Sequence, residues 1–219
     1  MEESHNSDHL SSSLTDLMTS LMVIFILLLL VFVSHTAAKD AVLTDVLLAR
    51  LKHDLKPQGF NPQSIRPDPK DRNAILVIVP GKLMNFDVQK SELKPEGRSF
   101  LWRYIPVMAD VLYNEEFRTN IDSVVVEGHT DAQRWGNSQE ESENNNLRLS
   151  QDRSMAVVKE ALASLHATPK FRAYFLEKLS ATGRGEQDLE KTDSESRRVI
   201  FKIRIKAKSA EQIEHRIER

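Results

Sequence analysis

A chain of 219 residues has room for one ordinary domain and a smaller appendage, and excludes two full enzyme domains. Thirty Lys and Arg stand against 32 Asp and Glu, so there is no basic field of the kind general nucleic-acid binding requires, and no nucleic-acid partner is expected. The lack of cysteine rules out disulfides, thiolate metal sites, cysteine nucleophiles and a lipidated cysteine.

Residues Met1 to Ser13 are polar and acidic, without Lys or Arg, and read as a short disordered tail. Hydrophobicity then jumps. From Leu21 to Val33 the run LMVIFILLLLVFV holds no polar residue. As a helix it spans only about 20 Å of a hydrocarbon core roughly 30 Å thick. Leu14, Leu17 and Met18 extend it backwards, which predicts a transmembrane helix over 14–35 and places Asp16 inside the membrane. A cleaved signal peptide is the competing reading, because Thr36-Ala37-Ala38 resembles a small-residue cleavage site. The basic segment that precedes a signal core is missing, so an uncleaved anchor is expected. Charge bias alone would put the C-terminus in the cytoplasm, since Lys39, Arg50 and Lys52 follow the span. The nature of the later domain argues for the opposite side.

From Asp40 to about Lys56 apolar residues recur at helical spacing, giving a stripe that can pair with its copy in a dimer or pack on its own domain. Gly59 and the prolines Pro57, Pro62, Pro67 and Pro69 suit a stiff connector, so 36–72 reads as linker with a boundary near Arg72. Strands and helices then alternate. Ala74 to Val79 is a buried strand, Pro95 to about Tyr113 a helix opened by proline, and Ile121 to Glu127 a second strand. Asn145 to about His166 is a long helix and Lys178 to Thr182 a short strand. Arg198 to Lys206 alternates apolar and basic residues like a half-exposed edge strand. The fold class is α+β, a β/α/β/α/β sandwich over 73–208, with 209–219 a charged tail or helix.

A carboxylate in a transmembrane helix costs roughly 2.5–3.5 kcal/mol even on lenient scales, and normally faces a partner or a water-filled path. Asp16 is therefore a candidate ion carrier; a capping residue at headgroup level is the other reading. The stretch Asp16-Leu17-Met18-Thr19-Ser20-Leu21-Met22 resembles the D-x-M-T-x-x-M segment of MotB-type stator subunits. That resemblance implies that Asp16 carries a translocated proton or sodium ion. One span cannot enclose a channel, so it also implies a multi-span MotA-like partner. No other cofactor is expected.

A second resemblance is more specific. Gly128-His129-Thr130-Asp131 follows a β-branched strand, and Asn146-Leu147-Arg148-Leu149-Ser150-Gln151-Asp152-Arg153 opens a helix further on. These are similar to the GHTD and N-x-x-L-S-x-x-R signatures of the OmpA-like peptidoglycan-binding family. Gly183-Arg184-Gly185 and Ser196-Arg197-Arg198-Val199 look like its G-x-G and N-R-R-V elements. The resemblance implies a site made of Thr130, Asp131, Asn146, Leu149, Arg153, Arg197 and Arg198. Diaminopimelate presents an ammonium and a carboxylate on one short side chain. Asp131 suits the ammonium, and Arg153 can pair with the carboxylate in two parallel bonds that Lys cannot reproduce. Asn146 suits peptide amides. Ser196 stands where the family has Asn, and the loop Ala132 to Asn145 is long; it either shapes ligand access or is a solvated excursion, and the latter is expected. His129 reads as a ring that holds its loop, and Asp87 after Phe86 as structural.

No spacing supports a hydrolase site, so no enzyme is expected. The resemblance implies a single-pass inner-membrane protein with its C-terminal domain in the periplasm, a homodimer ringed by about five MotA-like subunits. A passive wall tether and a flagellar stator subunit are the alternatives. The leucine-rich span, compact linker and absence of basic residues in the tail look more like the ZorB subunits of Zorya anti-phage defence systems, whose partner would be ZorA-like.

Overall fold

The computed structural model describes the backbone of residues 2–206 apart from 85 and 88, and the side chains of that range outside 2–13 and 35–41. Helix α1 runs from Glu2 to Leu55, and the chain divides within it into two units, Met1–Val42 and Leu43–Arg219.

The first unit is helical from Glu2, where the sequence predicts a disordered tail. Once a helix is nucleated each added residue gains a backbone hydrogen bond, so an apolar span propagates into the polar residues beside it. Leu14–Ser34 is long and apolar enough to cross a membrane. Its large apolar side chains from Leu14 to Val33 are between 42% and 68% exposed. The core helix of a soluble domain would bury one stripe of that surface; among the described residues nothing covers this one.

The second unit opens with the last turns of α1. Leu47, Leu51 and Leu55 recur every four residues, are fully buried, and belong to the same core as the sheet and the later helices. The apolar stripe is therefore spent inside its own domain, which begins at Leu43 and not near Arg72. The proline-rich segment is also part of it. Strand β1 (Ile65–Asp68) pairs antiparallel with β2 (Asp71–Pro80). Pro67 is tolerated because β1 is an edge strand, where a missing N–H need not break a ladder.

Strands β3 (Ile121–Gly128), β4 (Leu179–Gly183) and β5 (Arg198–Ile205) complete a sheet of order β1-β2-β5-β3-β4. β5 is thus the middle strand, antiparallel to β2 and β3, and not the edge that its alternating basic residues predict. Its two faces explain the mistake. Val199, Phe201, Ile203 and Ile205 are buried in the core, while on the other face Lys202 reaches Asp68 at 2.5 Å and Arg204 reaches Asp71 at 3.0 Å. The basic residues are paired with acids of β1 and β2, Lys202 largely covered and Arg204 still half in solvent.

Between the strands lie α2 (Gly81–Met84), α3 (Pro95–Tyr113), α4 (Gln139–Ser164), α5 (Pro169–Lys178) and α6 (Asp193–Ser196). Helix α3 matches its predicted bounds, with proline in its first turn where no N–H partner exists anyway. Its Tyr104 is fully buried and stacks on Phe60 with ring centres 5.3 Å apart, then meets Phe201 of β5 at 5.5 Å. Helix α4 begins at Gln139, earlier than Asn145, because the Ser138 hydroxyl caps it by accepting from the Glu141 N–H at 3.1 Å. Helix α5 has no counterpart in the sequence reading; Phe175 is its one buried residue. The parallel pair β3 and β4 is bridged by α4 and α5. The segment 209–219 lies outside the described residues.

Candidate functional site

The site is assembled by the way α4 is fastened to the ends of β3 and β4. A Cβ on Gly128 would stand 2.2 Å from the Ser150 carbonyl oxygen, and one on Gly183 would stand 2.6 Å from the Gln151 nitrogen. Only glycine permits so close an approach of strand and helix. The Ser150 hydroxyl accepts from the Gly185 N–H at 2.8 Å, and Gln151 Oε1 accepts from the Gly183 N–H at 2.6 Å. With α4 so pinned, Asn146, Leu149 and Arg153 lie three and four residues apart on one helix face.

The chain leaving β3 is held equally firmly. The His129 N–H donates to the Arg198 carbonyl at 3.0 Å and the Thr130 N–H to the Gly185 carbonyl at 2.8 Å. His129 Nδ1 lies 3.1 Å from the Gln187 carbonyl, which is the loop-holding role expected of it. Asp131 is buried. Its Oδ1 accepts from the Gln133 N–H at 3.3 Å, and its Oδ2 is ion-paired with Arg197 Nη1. The Arg197 side chain is 42% exposed, so one partner of this pair is sequestered and the other meets solvent.

Arg153 is buried, and its guanidinium stands over the Phe86 ring with its carbon 5.1 Å from the centroid. Its Nε donates to the Lys90 carbonyl and its Nη2 to the Asp87 carbonyl, both at 3.0 Å. The edge expected to form two parallel bonds with a ligand carboxylate is therefore engaged with the loop after α2, and Nη1 takes part in neither bond. Burial lowers the Arg153 pKa, with the Asp131 charge opposing and the Arg197 charge adding to that shift. Asp87 is held below the usual carboxylate range by its hydrogen bond with Lys94, 2.5 Å away.

Thr130, Asp131, Asn146, Leu149, Arg153 and Arg197 all line one cavity of about 400 Å³. Its wall also holds a Thr130 hydroxyl that is buried without a hydrogen-bond partner. Arg198 does not reach this cavity. Its Nη2 donates to the Asp188 carbonyl at 2.7 Å and lies 3.6 Å from Glu190, so it ties the β4–β5 connection together. Arg197 lies between α6 and β5, whose first residue is Arg198, and the two side chains part company there: Arg197 pairs with Asp131, while Arg198 turns to the Asp188–Glu190 segment. Ser196, where the family has Asn, is turned into its own loop: its hydroxyl donates to the Thr192 carbonyl and accepts from the Glu190 N–H, both at 3.0 Å.

Sequence reasoning passed over Phe86, Gln89, Gln133, Arg134 and Trp135, which complete the wall together with Asp87. The loop carrying three of them is mostly exposed, as expected, but it is tied to the start of α4. The Trp135 N–H donates to Ser142 Oγ at 2.8 Å, Asn145 donates to the Trp135 carbonyl at 3.0 Å, and the Asn137 N–H donates to Glu141 at 2.7 Å. The dense Asn, Ser and Glu content of 137–146 was the available signal, because those residues bond to nearby backbone. In the other unit, Asp16 is exposed on the Leu14–Ser34 segment, one turn before Thr19, whose hydroxyl donates to the Thr15 carbonyl at 2.7 Å.

The second unit has the fold of the periplasmic domains of MotB proteins. A MotB-like protein from Desulfovibrio vulgaris superposes with a TM-score of 0.54 at 20% identity, over 77% of this chain and 98% of that one. The periplasmic domain of Helicobacter pylori MotB, residues 90–256, gives 0.50 at 12% identity, over 70% and 86%. The OmpA-like domain of FopA1 from Francisella tularensis is a looser match, with a TM-score of 0.40 at 21% identity over 61% and 75%. No protein-family model matches the sequence, and no curated protein does.

Proposed function

We propose that this chain is the MotB-like subunit of an ion-driven rotary motor in the bacterial inner membrane, anchoring the motor to peptidoglycan and carrying the ion on Asp16. The observation that carries the reading is the meeting of Asp131, Arg153 and Arg197 in one cavity with Thr130, Asn146 and Leu149. A buried acid beside two guanidinium groups suits a ligand bearing ammonium and carboxylate together, as the diaminopimelate of a wall peptide does. Asp131 takes the ammonium. Arg197, the exposed partner of its ion pair, takes the carboxylate, with Arg153 behind them holding the Asp87–Lys90 loop and adding positive potential.

On this reading the Leu14–Ser34 helix spans the inner membrane once and the sheet domain is periplasmic. The span is completed by a multi-span MotA-like partner, about five copies around a homodimer of this chain. The ion is a proton, with sodium the alternative. Within this class the ZorB subunits of Zorya anti-phage systems, partnered by ZorA, fit the leucine-rich span and the short linker best.

Both halves of the proposal are testable. Purified sacculi should retain the wild-type chain and release Asp131→Ala, with at least a tenfold loss of binding. Retention of that variant at wild-type levels refutes the anchor. Vesicles holding the chain with its MotA-like partner should conduct protons, and Asp16→Asn should abolish the flux; unchanged flux leaves only a wall tether. Phage plating against swimming in the deletion strain separates the defence role from the flagellar one.

A further inference from the structure

We propose that residues 207–219, the segment that follows β5, dock on their own domain in a groove between α3, α4 and α5, with Glu211, Glu214 and Glu218 facing Lys159, His166 and Arg172. The groove is a cavity of about 700 Å³ toward the C-terminal end of α4, away from Asn146 and Arg153. Its apolar floor is made by Trp102, Leu162, Ala163 and Ala167. Trp102 is 52% exposed, yet its ring N–H donates to Glu160 at 2.6 Å, so the indole is held in place. An apolar surface fixed in this way and left open marks a contact.

The rim says what kind of group covers that floor. Lys159, His166 and Arg172 line the groove, and among the described residues none of them is ion-paired. Glu160, the acid beside them, is already engaged by Trp102 and by Arg98 at 3.9 Å. The groove therefore asks for an apolar stripe bordered by acids. Residues 210–219 carry that pattern. At helical spacing Ala210, Ile213 and Ile217 share a face, Glu211, Glu214 and Glu218 follow one flank of it, and Arg216 and Arg219 lie away from that flank.

The segment also starts within reach. The Lys206 N–H donates to the Asn120 carbonyl at 2.8 Å, and the Tyr174 hydroxyl of α5 donates to the Arg118 carbonyl at 3.2 Å. The chain thus leaves β5 beside α5, the helix that carries Arg172. Seven residues from there to Ile213 extend over about 23–25 Å. A tether this short keeps the segment at a high effective concentration near its own groove, which favours it over the same segment of a second copy.

The test uses the full chain in detergent, with Trp135→Phe so that Trp102 is the sole tryptophan. Removing 207–219 should shift the Trp102 emission to the red and speed its quenching by acrylamide. Glu214→Lys with Glu218→Lys should do the same without shortening the chain, and adding Lys159→Glu and Arg172→Glu should restore the original spectrum. To identify whose segment is seated, Ala167→Cys and Ala210→Cys, which give the chain its only cysteines, are bridged with a short bis-maleimide. The product should be an internally linked monomer, lost on reversal of the two glutamates and regained with the charge swap. An emission that the shortened chain leaves unchanged, or a charge swap that fails to restore it, overturns the proposal. Linkage between two protomers assigns the groove to a second copy and overturns it equally.

Discussion

Arg153 illustrates how a side chain in the wall of a candidate site can be committed to structure. Two of its N–H groups hold the Lys90 and Asp87 carbonyls, and its face rests on Phe86. A lysine cannot span two carbonyls while keeping a planar contact with the ring. Arg153→Lys should therefore lower both stability and wall binding, the first by about 1.5–3 kcal/mol for a buried charge-assisted bond. For a domain of this size that is a fall of several degrees in the unfolding midpoint, at about 2–4 °C per kcal/mol. A midpoint unchanged in the lysine variant would show that the two carbonyl bonds contribute nothing. That Asp131 and Arg153 come together in one cavity was legible at this scale, because both sit in motifs of fixed spacing. The partner of each was not: Arg197 lies 66 residues from Asp131, and nothing local says which of two adjacent arginines turns inward.

Among the elements, α3 could be bounded from its proline start and apolar period alone, whereas β1 could not. Four prolines and a glycine read as a connector because each breaks a helix, yet an edge strand accepts the same residues. The position of β5 escaped for a different reason. Alternating charge signals exposure only where no acid from elsewhere covers it, and Asp68 and Asp71 are far away in sequence. The end of α1 was open between a dimer seam and a domain core, and burial of Leu47, Leu51 and Leu55 decides for the core. Leu51→Ala should then destabilise the folded domain by about 2–5 kcal/mol. Urea unfolding of the full chain in detergent measures this. Dissociation into folded protomers, with an unchanged unfolding midpoint, would instead mark a subunit seam.

For the whole domain, the sheet face opposite the core carries ion pairs, and three carboxyls on or beside it are held below their ordinary values. Burial raises the Asp68 carboxyl, but its bonds from Lys202 and the Lys70 N–H bring it below the ordinary value. Burial likewise raises Glu127, and the neighbouring His129 ring with the Arg184 and Lys202 charges outweighs it. Asp188 is held low by its hydrogen bond with Lys70. Each carboxyl binds its proton more weakly folded than unfolded, so the stability it adds is complete above the unfolded value of about 4 and is lost as pH falls through the folded ones. The urea midpoint should stay level from about pH 7 to 5 and drop below about pH 4. Asp68→Asn should lower the plateau and make that drop shallower. A midpoint that rose on acidification would contradict the assignment.

If the pocket binds as proposed, the ion pair between Asp131 and Arg197 sets a selection rule for its guests. At rest each charge is already answered, so a stray acetate or amine gains nothing by entering: capturing one partner strands the other in a site that water only half reaches. A guest that brings both signs at the right separation replaces the internal pair on both sides at once. On the proposed reading, the pair therefore disfavours simple electrolytes and favours a molecule built like the contact it displaces.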